Sequence, residues 1–382
     1  MPVLLSQAEL TRALSTPDLT DPLVVSGHAL QTLIRLTQRA LQQTWSCQVR
    51  TLRSSPVVPI ENNYDRLNYP LDGVARDARY TRYITPRYIL RTQTSSAIPD
   101  ALAGMHGESP ADLLLLLPGI VYRRDCIDRL HCAEPHQLDI WRLVNHKERK
   151  PMRTEDLHQM IQTLMNALLP GHEWRTVPSP HPYTQCGVQI DVRWQEAWIE
   201  VGECGLIAPT ILHNAGLTVH SGLAMGLGLD RILMIRKNIP DIRLLRSTSH
   251  QVQEQMQDLS PYRPVSSMPA INRDLSLVVN AAVDAEILGD RLREGLADSS
   301  MIESLVVMEE TPYASLPEKV RERLAMTSDQ KNLLLRITIR DLHRTLTSAQ
   351  ANAIRNEVYL LLHEGKPIDI ASNGEHAQQD QR

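Results

Sequence analysis

Apolar and polar positions alternate along the chain with two different periods. In residues 27–47, Leu30, Leu33, Ile34, Leu36 and Leu41 keep helical spacing while Arg35 and Arg39 fall outward, which predicts a long amphipathic helix. Residues 155–169 repeat the pattern and are closed by Pro170-Gly171. Between these helices an apolar run, Leu113 to Leu117, ends in Pro118-Gly119 and continues as the short extended piece Ile120-Val121-Tyr122. A charge-dense loop follows (Arg123, Arg124, Asp125, Asp128, Arg129, His131, Glu134), and residues 137–143 read as a second strand. Strand side chains alternate faces, so Arg123 shares a face with Asp125, and Gln137 with Asp139. A guanidinium, two carboxylates and an amide on one hairpin suit a small charged ligand. The same residues equally describe a solvated hairpin with ordinary salt bridges.

Further strands are predicted near residues 87–92, at 189–194 and at 198–201, the last leading into Gly202 and Gly205. RTQTSS, Arg91 to Ser96, precedes a helix capped by one of its hydroxyl residues. Glycines 222, 226 and 228 lead into a helix beginning near Leu229, with Arg231 in its first turn. Small residues let backbone approach a ligand, and a helix N-terminus attracts anions. The spacing is not G-x-G-x-x-G, and a glycine-rich turn before a helix is commonly only close packing. Residues 1–26 read as a polar, partly ordered lead-in, 27–246 as the first domain, and 247–268 as a linker. Residues 269–364 then carry strand 274–280, helix 284–296, strand 302–309, a long loop to Met326, strand 332–340 and helix 348–362. That β-α-β-β-α order is a split ferredoxin-like unit. The polar tail 365–382 is expected to be disordered. The fold class expected is therefore α+β, and no internal repeats are visible.

Composition narrows the function. The 382 residues are 42% hydrophobic and 22% charged, as in soluble globular proteins, and long enough for two domains. A net charge of −4 leaves nucleic-acid binding to local patches. Cys47, Cys126, Cys132, Cys186 and Cys204 form no C-x-x-C pair, which argues against a structural zinc site or disulfide framework and fits a reducing compartment. The apolar runs are too short to span a membrane. The opening MPVLLSQAEL lacks a basic start, and Glu9 and Asp18 disfavour a transit peptide, so the cytoplasm is the expected location. The chain has no phenylalanine, where ordinary usage gives on the order of a dozen, although Tyr (10) and Trp (5) are present.

Taken in order, several segments resemble the phenylalanyl-tRNA synthetases, in layout the single-chain, mitochondrial-type enzymes, over about residues 19–363. LTDP with SGHALQTLI resembles the start of their catalytic domain, and LRTQTSS their L-R-T-H-T-S segment. GIVYRRDCIDRLHCAEPHQLDIWRL resembles class II motif 2, and GLAMGLGLDRILMIRKNIPDIRLL resembles motif 3. MPAINRDLSLVV and RITIRDLHRTLT resemble the ferredoxin-fold anticodon-binding domain.

The resemblance implies a class II antiparallel sheet flanked by helices, with a C-terminal ferredoxin-like βαββα domain. The implied reaction activates an amino acid with ATP and Mg²⁺ and transfers it to tRNA. Arg123 would neutralise the α-phosphate, Asp125 sits on the adenine side, His131 lies near the phosphates, and Arg231 grips the terminal phosphate. Gln137 and Asp139 match the pair that holds the amino group, and Ser95 a serine near the substrate. His181-Pro182-Tyr183 stands where the family has F-P-F around the amino-acid ring, and Ala224 matches the small residue at the pocket's far end. Glu200 is the Mg²⁺ contact implied. For tRNA, Arg336, Arg340 and Arg344 come first, with Lys147, Arg149 and Lys150, although each such cation is equally a solvated face charge. The mitochondrial-type relatives act as monomers, which a self-contained chain matches.

Several positions depart from the family. Gln93 replaces the histidine of L-R-T-H-T-S, Glu203 replaces a glycine of V-x-G-C-G, and Gly73-Val74 replaces His-Pro before A-R-D. Tyr64, Arg82, Pro135 and Met225 also stand where the family usually has phenylalanine, and most need not touch substrate. Two readings follow. Phenylalanine has been removed everywhere, giving a stress or resistance variant translatable when charged phenylalanine tRNA is scarce. Alternatively the pocket is retuned for a modified or hydroxylated aromatic amino acid. A paralogue that binds tRNA or makes amino-acid products without charging tRNA is the remaining class.

Overall fold

The computed structural model describes residues 4–366 apart from 79, 106–109, 125, 266–267 and 343. Asp125 and all but the first two residues of the expected tail fall outside the described residues. The chain divides into two compact units, residues 1–123 with 133–263, and residues 124–132 with 264–382.

The first unit is built on a seven-stranded sheet in the order Gln48–Thr51, Asp112–Ile120, His136–Asn145, His220–Gly228, Ala197–Ile207, Thr184–Trp194, Trp174–Pro178. Every neighbouring pair is antiparallel except the first, which is parallel. The five-leucine run does not alternate with polar residues because both faces of its strand are covered. Leu113, Leu115 and Leu117 pack with Ile98, Leu102, Ile211, Trp141 and Tyr183, and Leu114 and Leu116 on the opposite face are equally buried. Helix Ala29–Trp45 forms where the spacing placed it, burying Leu30, Leu33, Ile34 and Leu41. It packs against helices Thr154–Leu168 and Leu229–Lys237.

The lead-in is more ordered than its polar sequence indicates. Ser6 and Glu9 close a capping box on helix Gln7–Ser15, and Ala13 packs with Leu90, Ile120 and Tyr122. A nine-residue helix is marginal alone, so this packing, which local sequence does not encode, sustains it. The expected linker 247–268 also needs correction. It holds helix His250–Gln255, buries Val252 and Met256, and the Met256 carbonyl accepts the Ala29 N–H at 2.7 Å, so the first unit extends to Arg263.

The second unit has three antiparallel strands in the order Ile271–Asn280, Gln330–Ile339, Ile302–Pro312, with helices Ala285–Gly295 and Ser348–Leu362. The long connection contains a short helix, Glu318–Leu324. Leu277, Leu288, Leu335, Ile337 and Val358 lie at the core. The loop 124–132 belongs to this unit. Ile127 enters its core, the Leu305 N–H donates to the Ile127 carbonyl at 3.0 Å, Arg293 Nη2 donates to the Cys126 carbonyl at 2.8 Å, and Arg124 pairs with Asp290 at 3.0 Å.

Candidate active site

The sheet register sets the site. Asp139 lies opposite Gly226, which lies opposite Glu203; two residues on, Trp141 faces Ala224 and Ala224 faces Gly205. Asp139 is 2% exposed and accepts the hydroxyls of Thr94 at 2.6 Å and Ser95 at 2.9 Å. Burial drives its pKa up, and the two hydroxyls only partly offset this. Among the described residues no cation pairs with it, so a buried carboxylate is held by neutral donors alone. A Cβ placed on Gly226 would meet only Asp139 Oδ1, at 3.8 Å, so space beside the carboxylate is open.

Aromatic rings wall the next layer. Tyr183 stacks on Trp141 at 5.6 Å between centroids, and its hydroxyl lies 3.2 Å from Ser95 Oγ. Because Ser95 donates to Asp139, Tyr183 must donate to Ser95, and burial pushes the phenol's pKa well above its ordinary value. His181 meets Tyr183 edge-on at 4.2 Å. Its tautomer follows from its neighbours. Gln93 Nε2 donates to the Asn63 carbonyl at 2.8 Å, so Gln93 Oε1 is an acceptor and takes the Tyr69 hydroxyl at 3.0 Å. His181 Nε2, 3.1 Å from the Tyr69 oxygen, must then carry the proton, and Nδ1 is left as a buried acceptor without a donor among the described residues. Burial keeps His181 neutral by lowering its pKa, while Glu203, 3.9 Å away and accepting from Ser179 at 2.7 Å, works in the opposite direction. Ala224 is buried opposite Trp141 in the sheet register and packs in the same cluster as Trp141 and Tyr183.

A cationic edge adjoins these walls. Arg123 is exposed, its N–H donates to the Ala133 carbonyl and its Nε to the Thr92 carbonyl, both at 2.9 Å, which anchors it beside the Thr94–Ser95 segment. Gln137 Oε1 lies 3.4 Å from the Thr94 N–H. Arg231, in the first turn of helix Leu229–Lys237, donates to the Glu200 carbonyl at 3.1 Å and lies 4.0 Å from the Glu200 carboxylate. Burial raises the Glu200 pKa against the pull of Arg231. Mg²⁺ is usually held by one or two carboxylates with substrate phosphates and waters, and a half-exposed carboxylate beside an arginine fits that role.

The first unit thus gathers Arg123, Ser95, Gln137, Asp139, His181, Tyr183, Glu200, Ala224 and Arg231. His131 belongs to the second unit, where its Nδ1 lies 2.7 Å from Asp128 Oδ2 and Ile127 of the same loop enters the core. Arg336, Arg340 and Arg344 each have an acidic partner within the second unit. Arg336 holds Asp274 through two bonds of 2.8 Å, Arg344 holds Asp341 at 2.8 Å, and Arg340 is bound to Glu303 and the Met268 carbonyl. Lys147, Arg149 and Lys150 are exposed on the turn after strand His136–Asn145. Sequence reasoning missed Thr94 and Tyr69. Thr94 stands beside Ser95 in RTQTSS, whereas Tyr69 reaches His181 across 112 residues and carries no local signal.

The profile of the family described as "tRNA synthetases class II core domain (F)" matches residues 27–256, more than half of the chain. The chain belongs to the class II tRNA synthetases. It is 26% identical over 359 residues to "Probable phenylalanine--tRNA ligase, mitochondrial" of Drosophila melanogaster, covering 80% of this chain and 75% of that one. It is 27% identical over 317 residues to "Phenylalanine--tRNA ligase, chloroplastic/mitochondrial" of Arabidopsis thaliana, covering 80% and 68%. Against "Phenylalanine--tRNA ligase alpha subunit" of Oenococcus oeni it is 36% identical over 196 residues, covering 48% and 55%. The chain is accordingly an aminoacyl-tRNA ligase, a class whose members use ATP and Mg²⁺. No described helix is long and apolar enough to cross a membrane.

Proposed function

We propose that this class II synthetase activates phenylalanine with ATP and charges a phenylalanine-accepting tRNA. The observation that carries the reading is Asp139, a buried carboxylate held among the described residues by neutral donors only, on the same sheet as Trp141 and Ala224 and bonded through Ser95 to the ring of Tyr183. An α-ammonium group supplies the missing positive charge, and Tyr183, His181 and Trp141 receive the ring. The substrate carboxylate oxygen then displaces pyrophosphate at the α-phosphorus. Arg123 neutralises charge on the α-phosphate as it develops, Arg231 holds the terminal phosphate, and Asp125 reads the adenine side. Mg²⁺ at Glu200, when bound, screens the phosphate charge. His131 lies near the phosphates in this reading. In the second step a terminal ribose hydroxyl of tRNA attacks the acyl carbon and AMP leaves. The second unit, through Arg336, Arg340 and Arg344, serves anticodon recognition in this reading, and the chain acts as a monomer in a reducing, cytoplasmic compartment.

The missing phenylalanine is read as a composition adapted to shortage. Tyr64 and Arg82, which stand where the family resemblance implies phenylalanine, have partners in the fold. Tyr64 donates to the Ala75 carbonyl at 2.8 Å, and Arg82 pairs with Glu134 at 2.8 Å. A second reading is favoured by Glu203 and the bare acceptor of His181, which suit an aromatic amino acid carrying a ring hydroxyl. Amino-acid-dependent ATP–pyrophosphate exchange with phenylalanine, tyrosine and ring-hydroxylated analogues, followed by tRNA charging, decides between them. Exchange with phenylalanine is expected; exchange with a hydroxylated analogue alone selects the second reading. Exchange with none turns the assignment toward a non-charging paralogue.

A further inference from the structure

Cys126, Asp128 and His131 lie within six residues of the loop 124–132, and their ligand atoms gather in one place. Cys126 Sγ is 3.5 Å from Asp128 Oδ2 and 3.6 Å from His131 Nδ1, and Nδ1 is 2.7 Å from Asp128 Oδ2. Zinc bound tetrahedrally by sulfur, oxygen and nitrogen at its usual bond lengths sets the sulfur about 3.5 Å from each lighter ligand, and those two about 3.3 Å apart. Two of the three edges therefore already have the required length. The third is shortened by the hydrogen bond that the metal would replace.

The loop is held in this shape from outside the trio. The Leu130 N–H donates to Asp128 Oδ1 at 2.6 Å, orienting the carboxylate. Arg293 and the Leu305 N–H fix the carbonyls of Cys126 and Ile127, and the Ile127 side chain is buried in the second unit's core. Such outer contacts orient ligands and raise metal affinity.

We propose that Cys126, Asp128 and His131 form a three-ligand site for Zn²⁺ or a similar borderline ion, with the fourth position open to water. A thiolate, an imidazole and a carboxylate together select zinc over Mg²⁺, which prefers oxygen alone. On binding, the Cys126 thiol gives its proton to solvent and the sulfur bonds the ion. His131 exchanges its Nδ1 proton for one on Nε2 through solvent, and Nδ1 becomes the ligand. One proton is released per ion. The absence of a C-x-x-C pair excludes only a four-cysteine structural site, and C-x-D-x-x-H meets the need of a three-ligand one.

The full-length protein, stripped with chelator and titrated with Co²⁺, tests this. One equivalent is expected to give a thiolate-to-cobalt charge-transfer band and intense visible bands, with affinity reduced at least about tenfold in Cys126→Ser and in Asp128→Asn. Cys186→Ser, elsewhere in the chain, is expected to leave the spectrum unchanged. A second measurement needs no variant: bound Zn²⁺ should slow alkylation of Cys126, read by peptide mass, at least about tenfold relative to Cys186. A spectrum without thiolate character, a band that survives Cys126→Ser, or alkylation of Cys126 indifferent to Zn²⁺ would each overturn the site.

Discussion

At Asp139 the folded protein holds a proton more tightly than the unfolded chain, because burial raises the carboxyl pKa. Between the ordinary carboxylate value and that raised value, stability falls as pH rises, so at neutral pH the ionised group costs the fold free energy. Asp139→Asn is therefore expected to melt at or above the wild-type temperature at pH 7. The same change removes a charge-assisted contact to the substrate ammonium, worth about 2–3 kcal/mol, so kcat/KM for pyrophosphate exchange should fall about 30- to 150-fold. Calorimetry and exchange kinetics on one preparation check both halves. His28 carries the opposite sign. Its Nδ1 caps helix Ala29–Trp45 by accepting the Leu30 N–H, and burial lowers its pKa to about 4. The unfolded chain binds a proton near pH 6.5, so stability is complete above that value and is lost as pH falls toward 4. The loss amounts to about 3 kcal/mol at most. His28→Asn keeps a cap without the titration and should flatten the melting temperature over this pH window.

Among the elements, strand Asp112–Ile120 depends on Gly119. A Cβ there would sit 2.1 Å from Arg91 Nη2, and Arg91 cannot easily withdraw because it donates to the carbonyls of Ile120 and Ser54 at 2.8 and 3.2 Å. Gly119→Val is expected to cost about 2–4 kcal/mol in urea unfolding. The strands and long helices were legible because periodicity over ten or more residues reports burial directly, as in Ala29–Trp45 and Thr154–Leu168. Helices Gln7–Ser15 and His250–Gln255 were not, since short polar segments acquire their order from partners such as Leu90 and Ala29. The same division runs through the site. Asp139, Ser95 and Arg231 were readable from ordered segments of the chain. The bond from Thr94 to Asp139 spans 45 residues and the capture of loop 124–132 by another core depends on Ile127, so neither has a local signature.

For the molecule as a whole, Arg336, Arg340 and Arg344 are held by Asp274, Glu303 and Asp341 of their own unit, and this sets their response to tRNA. If Arg336 meets a phosphate, Asp274 competes for it, so Asp274→Ala should lower the KM for tRNA about two- to threefold at low salt. The effect should vanish in high salt; steady-state charging at two ionic strengths measures it. A chain without phenylalanine should also continue to be made in starved cells after phenylalanine-containing proteins stop, which pulse labelling reads. One buried hub makes the speed of that synthesis matter. His136 accepts the Leu19 N–H at 3.1 Å, and Arg246 reaches back to the Pro17 carbonyl, 229 residues earlier, as well as to His136. Pro17 therefore gains its Arg246 partner only when residue 246 emerges from the ribosome. At about 5–20 residues per second that is a wait of roughly 10–45 s. Each phenylalanine codon would lengthen it under starvation, and this message has none.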